Sequence, residues 1–167
     1  LLSHATPGRV LRSGCTTTAQ RPDGGANHEL RNTGWLSSCS SSYRRSLLDR
    51  HRFDESLTGY SMLEDLDLSY RIGNDARLVV QPQARLKHRR SEKNRYDVEQ
   101  FAYALTIHRR WFIEKHFDDT TSRLAYWWSL AGRLLAVSKF GNPRHRAAFK
   151  GLLRGIRTVW TRDHPLL

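Results

Sequence analysis

Two cysteines in 167 residues, Cys15 and Cys39, are too few for a disulfide framework, and their separation does not match the ligand spacing of a zinc site. A reduced, cytoplasmic setting is the resulting expectation. Methionine occurs once, at Met62, and not at position 1, so the chain is expected to begin inside a longer reading frame. The opening residues also lack the basic, then apolar, then small-residue order of a secretory signal. No apolar run reaches the roughly 20 residues that a bilayer span requires, because Arg123, Arg133 and Lys139 interrupt the most apolar stretch. No glycine-rich phosphate loop is visible. Carboxylates are scarce as well: 16 Asp and Glu stand against 28 Lys and Arg, a formal net charge of +12. Such an excess points to an anionic partner, whether nucleic acid, a membrane surface or nucleotide phosphates.

The length suffices for one ordinary domain with a real core. Pro7-Gly8 punctuates a turn before a short strand in 9–14, and 16–32 has no period and reads as a surface loop. The informative stretch runs from Trp35 to His88. Glu64-Asp65-Leu66-Asp67-Leu68 sets three carboxylates in the opening turn of a predicted helix, where exposed amides favour negative charge whatever the function. Leu63, Leu66 and Tyr70 give that helix an apolar stripe, and Gly73-Asn74-Asp75 ends it. Arg77-Leu78-Val79-Val80-Gln81 follows as a strand closed by Pro82, and a second extended piece, 84–87, leads to His88.

Trp35 with a small-residue strand in 37–42, Arg44-Arg45, Phe53-Asp54-Glu55, the acidic pentad, Arg71, Pro82 and His88 occur in an ordered series. Together they resemble the C-terminal half of the catalytic domain of family 2 glycosyltransferases, inverting enzymes with a GT-A fold. The resemblance covers about half of the chain. It implies an α/β architecture: a short mixed sheet with helices in residues 1–95, the acceptor-side half of a GT-A-like domain, followed by an all-α tail in 96–167.

The resemblance also implies roles. Asp65 would be the catalytic base that takes the proton of an acceptor hydroxyl as it attacks the anomeric carbon, with Glu64 and Asp67 as electrostatic neighbours. A positioned base contributes about a hundredfold to ten-thousandfold. Trp35, Asp54 and Tyr60 would line the acceptor side, and Arg44 is a further substrate-side candidate, although Arg44-Arg45 also suits the end of a strand or helix. His88 would contact a divalent cation, Mg or Mn, or the leaving diphosphate, and Arg85, Arg89 and Arg90 would hold phosphate oxygens. The nucleotide-binding half that such an enzyme needs, with its Asp-x-Asp metal motif, does not precede this stretch. Asp65-Leu66-Asp67 has that spacing but falls in the helix matching the base motif. The isolated chain is therefore expected to be inactive, with most cation ligands in the missing half.

Past Ser91 the period is helical. Val98, Phe101, Ala102, Leu105, Phe112 and Ile113 trace one helix; Leu124, Trp127, Trp128, Ala131, Leu134 and Leu135 a second; Phe149, Leu152, Leu153, Ile156 and Trp160 a third, opposite Arg146, Lys150, Arg154 and Arg157. Rings on an apolar face with cations opposite suit an in-plane helix on anionic lipid, although such stripes can equally pack on one another. The expected function is transfer of a sugar from a nucleotide-sugar donor to a hydroxyl of an envelope polysaccharide or glycolipid, by a protein peripheral to the inner face of the cytoplasmic membrane. The alternative is a non-catalytic basic module on anionic membrane or nucleic acid. For nucleic acid, no recognition helix, zinc finger or stacking motif adds to the charge.

Overall fold

The structure is a computed structural model that describes residues 8–17, 30–59, 61–84, 86–87, 96–138 and 141–167. Its regular elements are β1 (Arg31–Asn32), a short 3-10 turn at Ser38–Ser40, α1 (Arg45–Arg50), α2 (Glu64–Ile72), β2 (Val79–Val80), α3 (Val98–His116), α4 (Thr120–Val137) and α5 (Pro143–Thr161). This overturns the expected fold class. Among the described residues the molecule is mostly helical, and the mixed GT-A-like sheet is replaced by a single antiparallel pair in which Arg31 faces Val80 and Asn32 faces Val79.

The reason lies in side chains that cannot sustain a ladder. The small-residue stretch 37–42 does not extend: Ser40 N donates to Ser37 O at 3.3 Å and the chain turns. Serines there have no apolar face to bury, and they favour local hydrogen bonds over a sheet. The strand expected over 77–81 narrows to Val79–Val80, and the one expected in 9–14 is an isolated bridge between Val10 and Thr16.

By contact the chain divides into two compact units. The first comprises 1–11, 16–55 and 64–91; the second comprises 12–15, 56–63 and 92–167. In the first unit, Leu68 and Ile72 of α2 pack with Leu47 of α1 and with Leu78, flanked by Leu36, Tyr43, Leu48 and Ala76. Full burial of such a side chain stabilises by about 1.5–3 kcal/mol, so these four residues define the orientation of α2. The helix stops at Gly73, whose amide closes the last turn onto Ser69 O at 2.8 Å.

In the second unit each long helix has a polar start. Asp97 and Gln100 form a reciprocal capping box on α3, Asp119 accepts Ser122 N on α4, and Asn142 accepts Arg144 N ahead of Pro143 on α5. The shared core contains Ile107 and Ile113 of α3, Tyr126 and Leu130 of α4, and Leu152 and Val159 of α5. Gly151 and Gly155 lie one turn apart where α5 meets α3. A Cβ on Gly151 would stand 2.1 Å from Glu99 O, and one on Gly155 would stand 2.8 Å from Thr106 Cβ.

Candidate active site

The carboxylates of α2 separate by helical phase. Positions 65 and 67 differ by about 200° around the axis and so face nearly opposite ways. Asp65 shares its side with Ser69, one turn on, whose hydroxyl donates to Asp65 O at 2.6 Å. The same hydroxyl accepts Leu36 N at 3.0 Å, which ties the segment after Trp35 to the helix. The Asp65 carboxylate then receives two amides: Ser38 N on Oδ2 at 3.2 Å and Leu66 N on Oδ1 at 2.8 Å. It is half-buried and, among the described residues, makes no ion pair.

Asp67 is used differently. It is fully buried, and one of its oxygens takes both Nε and Nη2 of Arg71, at 3.0 and 2.9 Å. Arg71 Nη2 also donates to Arg52 O at 2.5 Å, so this pair fastens the loop after α1 to α2. A carboxylate committed in this way holds structure.

Glu64 and Tyr43 complete the surroundings of Asp65. Burial, and then the neighbouring charge of Asp65, push the Glu64 carboxyl above its ordinary value, and a hydrogen bond from Ser38 works against them. Tyr43 is half-buried, near Ser41 and Ser69, and close enough to Asp65 to feel its charge; burial is the main cause of its raised pKa. Sequence reasoning missed Tyr43, because nothing local in Ser-Ser-Ser-Tyr aims the ring at a helix more than 20 residues away. The group Glu64, Asp65, Tyr43, Ser38 and Ser69 thus offers one carboxylate acceptor beside one acid that holds its proton more tightly than usual.

The remaining predicted residues are dispersed. The indole of Trp35 donates to Thr17 O at 3.1 Å. Arg44 is exposed and precedes α1 as its cap residue, with no side-chain cap bond. Asp54 is half-buried in the segment after α1. Tyr60, Arg85, His88, Arg89 and Arg90 lie outside the described residues. Among the described residues no three of His, Cys, Asp and Glu converge to hold a metal, so those residues alone do not make up a cation site, and no chemical step is assigned to one.

Two cavities lie elsewhere. One of about 370 Å³ sits at the far end of α2, against Asn32, Tyr70, Asn74, Arg77 and Leu78. The other, about 300 Å³ in the second unit, is lined by Gln100, Tyr103, His108, Arg154 and His164. Neither has Asp65 on its wall. No family model, curated protein or solved structure matches the chain.

Proposed function

We propose that this chain carries the acceptor side of an inverting glycosyltransferase, which moves a sugar from a nucleotide-sugar donor to a hydroxyl of an envelope polysaccharide or glycolipid at the inner face of the cytoplasmic membrane. The observation that supports it is the state of Asp65: a carboxylate in the first turn of α2, oriented by the amides of Ser38 and Leu66 and, among the described residues, not ion-paired, while Arg71 is taken up by Asp67. A base needs that combination of fixed orientation and an available lone pair. In the reaction the acceptor oxygen bonds to the anomeric carbon, its proton passes to Asp65, and the bond from that carbon to the diphosphate oxygen breaks with its electron pair. Glu64, whose carboxyl is raised above its ordinary value by burial and by Asp65, would sit beside the base.

The test is transfer of labelled sugar from uridine and thymidine diphosphate donors to membrane acceptors, by the protein at its full natural length. Asp65→Asn should lower kcat by about a hundredfold to ten-thousandfold with donor binding kept. Undiminished turnover in that variant would end the reading. No helix among the described residues is long and apolar enough to cross a membrane, which agrees with contact at the surface.

A further inference from the structure

The apolar residues of α4 do not form one face. Tyr126 and Leu130 are buried in the core, with Trp127, Leu134 and Val137 packed beside them. Leu124, Trp128 and Leu135 point the other way, 65%, 83% and 73% exposed. At 3.6 residues per turn these three fall within an arc of about 40° and span about 16 Å along the axis. Ala131 and Gly132, between them, are also exposed and add no charge. A helix apolar on both sides is normally covered on both.

The electrostatics indicate what covers it. Between residues 120 and 161 the chain has eight Lys and Arg and no Asp or Glu. On α5, Trp160 is 80% exposed, its ring meeting that of Trp127 edge-on at 6.4 Å, and Arg146, Lys150 and Arg157 are exposed on the same helix. A second copy of the chain docked on this face would bring two cationic surfaces together, which is repulsive. An anionic bilayer neutralises them and accepts tryptophan at its headgroup boundary.

We propose that the outward stripe of α4, Leu124, Trp128 and Leu135, inserts into the surface of an anionic bilayer while the exposed cations of α5, Arg146, Lys150 and Arg157, face lipid phosphates. This deepens the membrane side of the function proposed above, but it rests on no property of Asp65 and can hold if sugar transfer does not.

The test is co-sedimentation of the 167-residue chain with vesicles of equal parts phosphatidylglycerol and phosphatidylcholine, and with vesicles of phosphatidylcholine alone. Binding is expected to the first and to be about tenfold or more weaker to the second, and to fall with added salt. Trp128→Ser with Leu135→Ser should weaken it by a further tenfold or more, since each side chain loses its burial in lipid. Trp128→Phe should largely keep it. Both positions face away from the core, so circular dichroism should be unchanged. The proposal is overturned if the double variant binds anionic vesicles as the parent does, if neutral vesicles bind equally well, or if the chain forms a dimer that the double variant dissociates and no vesicle binds.

Discussion

Arg71 gives Nε and Nη2 to a single oxygen of Asp67, one turn back along α2, while Asp65, two residues earlier, takes the amides of Ser38 and Leu66. Two carboxylates of one helix therefore have separable duties. Removing the partner of a buried charge costs several kcal/mol, less where the orphaned group can reach water, as Arg71 partly can. Asp67→Ala should lower the unfolding free energy by about 2 to 3 kcal/mol in urea titrations. Asp65→Asn keeps an oxygen for the amides and should change stability by less than about 1 kcal/mol. Equal losses in the two variants would contradict the division.

Glu64 makes a prediction of opposite sign to that of most carboxylates. Its carboxyl is raised by burial and by Asp65, so the folded state binds this proton more tightly than the unfolded chain does. The stability it contributes is complete below the ordinary glutamate value of 4.5 and is lost as pH rises through the folded value. Glu64→Gln should therefore raise the melting temperature at neutral pH, with the gain vanishing below pH 4.5. A gain that persisted or grew in acid would show that the fold does not raise the Glu64 carboxyl.

How much of this was legible in the sequence varies by element. Asn142-Pro143, at the start of α5, and Asp119, ahead of α4, carry helix-start signals in their own side chains, so the helical period past Ser91 could be followed from local chemistry. The sheet could not. Whether Ser37 to Ser42 extends depends on a neighbouring strand, and among the described residues none pairs with it; the segment turns instead. In the same way Asp65 and Asp67 look alike in a string of letters. What separates them is helical phase, which sets Asp67 one turn from Arg71, and the Arg52 carbonyl, which holds Arg71 in place from 19 residues away. The two-sided burden of α4 was hidden because one list of apolar residues served both its inward and its outward face.

His108 is one source of acid sensitivity in the second unit. Its Nδ1 meets Met62 O at 2.9 Å, and burial, with His164 nearby, pushes its pKa below the ordinary 6.5. The folded state resists a proton that the unfolded chain accepts, so the stability it contributes is present above pH 6.5 and declines as pH falls below that value. One proton gives a slope of at most about 1.4 kcal/mol per pH unit. His108→Asn, which keeps a donor for Met62 O, should flatten the unfolding free energy between pH 6.5 and 5 relative to the parent. Parallel curves for the two proteins would exclude this assignment.

Arg109 is buried on α3 and, among the described residues, makes no ion pair with a carboxylate. Nη2 reaches Ser13 O and Ser129 Oγ at 2.5 and 2.6 Å, whereas Nε and Nη1 have no hydrogen-bond partner among the described residues. Its remaining compensation is the face of Tyr126, 5.4 Å from the guanidinium carbon. A buried charge with so little return is a weak source of stability. Arg109→Met, similar in length and apolar, should leave the unfolding free energy within about 2 kcal/mol of the parent, with a gain as the more informative result. A loss above about 4 kcal/mol would mean that the two hydrogen bonds outweigh desolvation.

Gly151 and Gly155 invert the usual expectation for glycine in a helix. Alanine is favoured over glycine by about 1 kcal/mol in a helix interior, so two glycines in the middle of α5 weaken it unless something close needs the space. That neighbour is α3. At Gly151 the obstruction to a Cβ is the backbone oxygen of Glu99, which has no rotamer through which to retreat, while at Gly155 it is the Cβ of Thr106, whose hydroxyl is already bonded to Ala102 O at 2.8 Å. Either alanine must therefore separate the helices by an ångström or more and loosen the contacts of Leu152 and Val159 behind it. Gly151→Ala should cost about 2 kcal/mol or more despite its better propensity, and Gly155→Ala should also destabilise. Gly132, on the exposed side of α4 with open space around its Cα, is the internal control: Gly132→Ala should stabilise by up to about 1 kcal/mol. Thermal melts of the three variants decide the matter, because close packing of α3 on α5 requires opposite signs at positions 151 and 132.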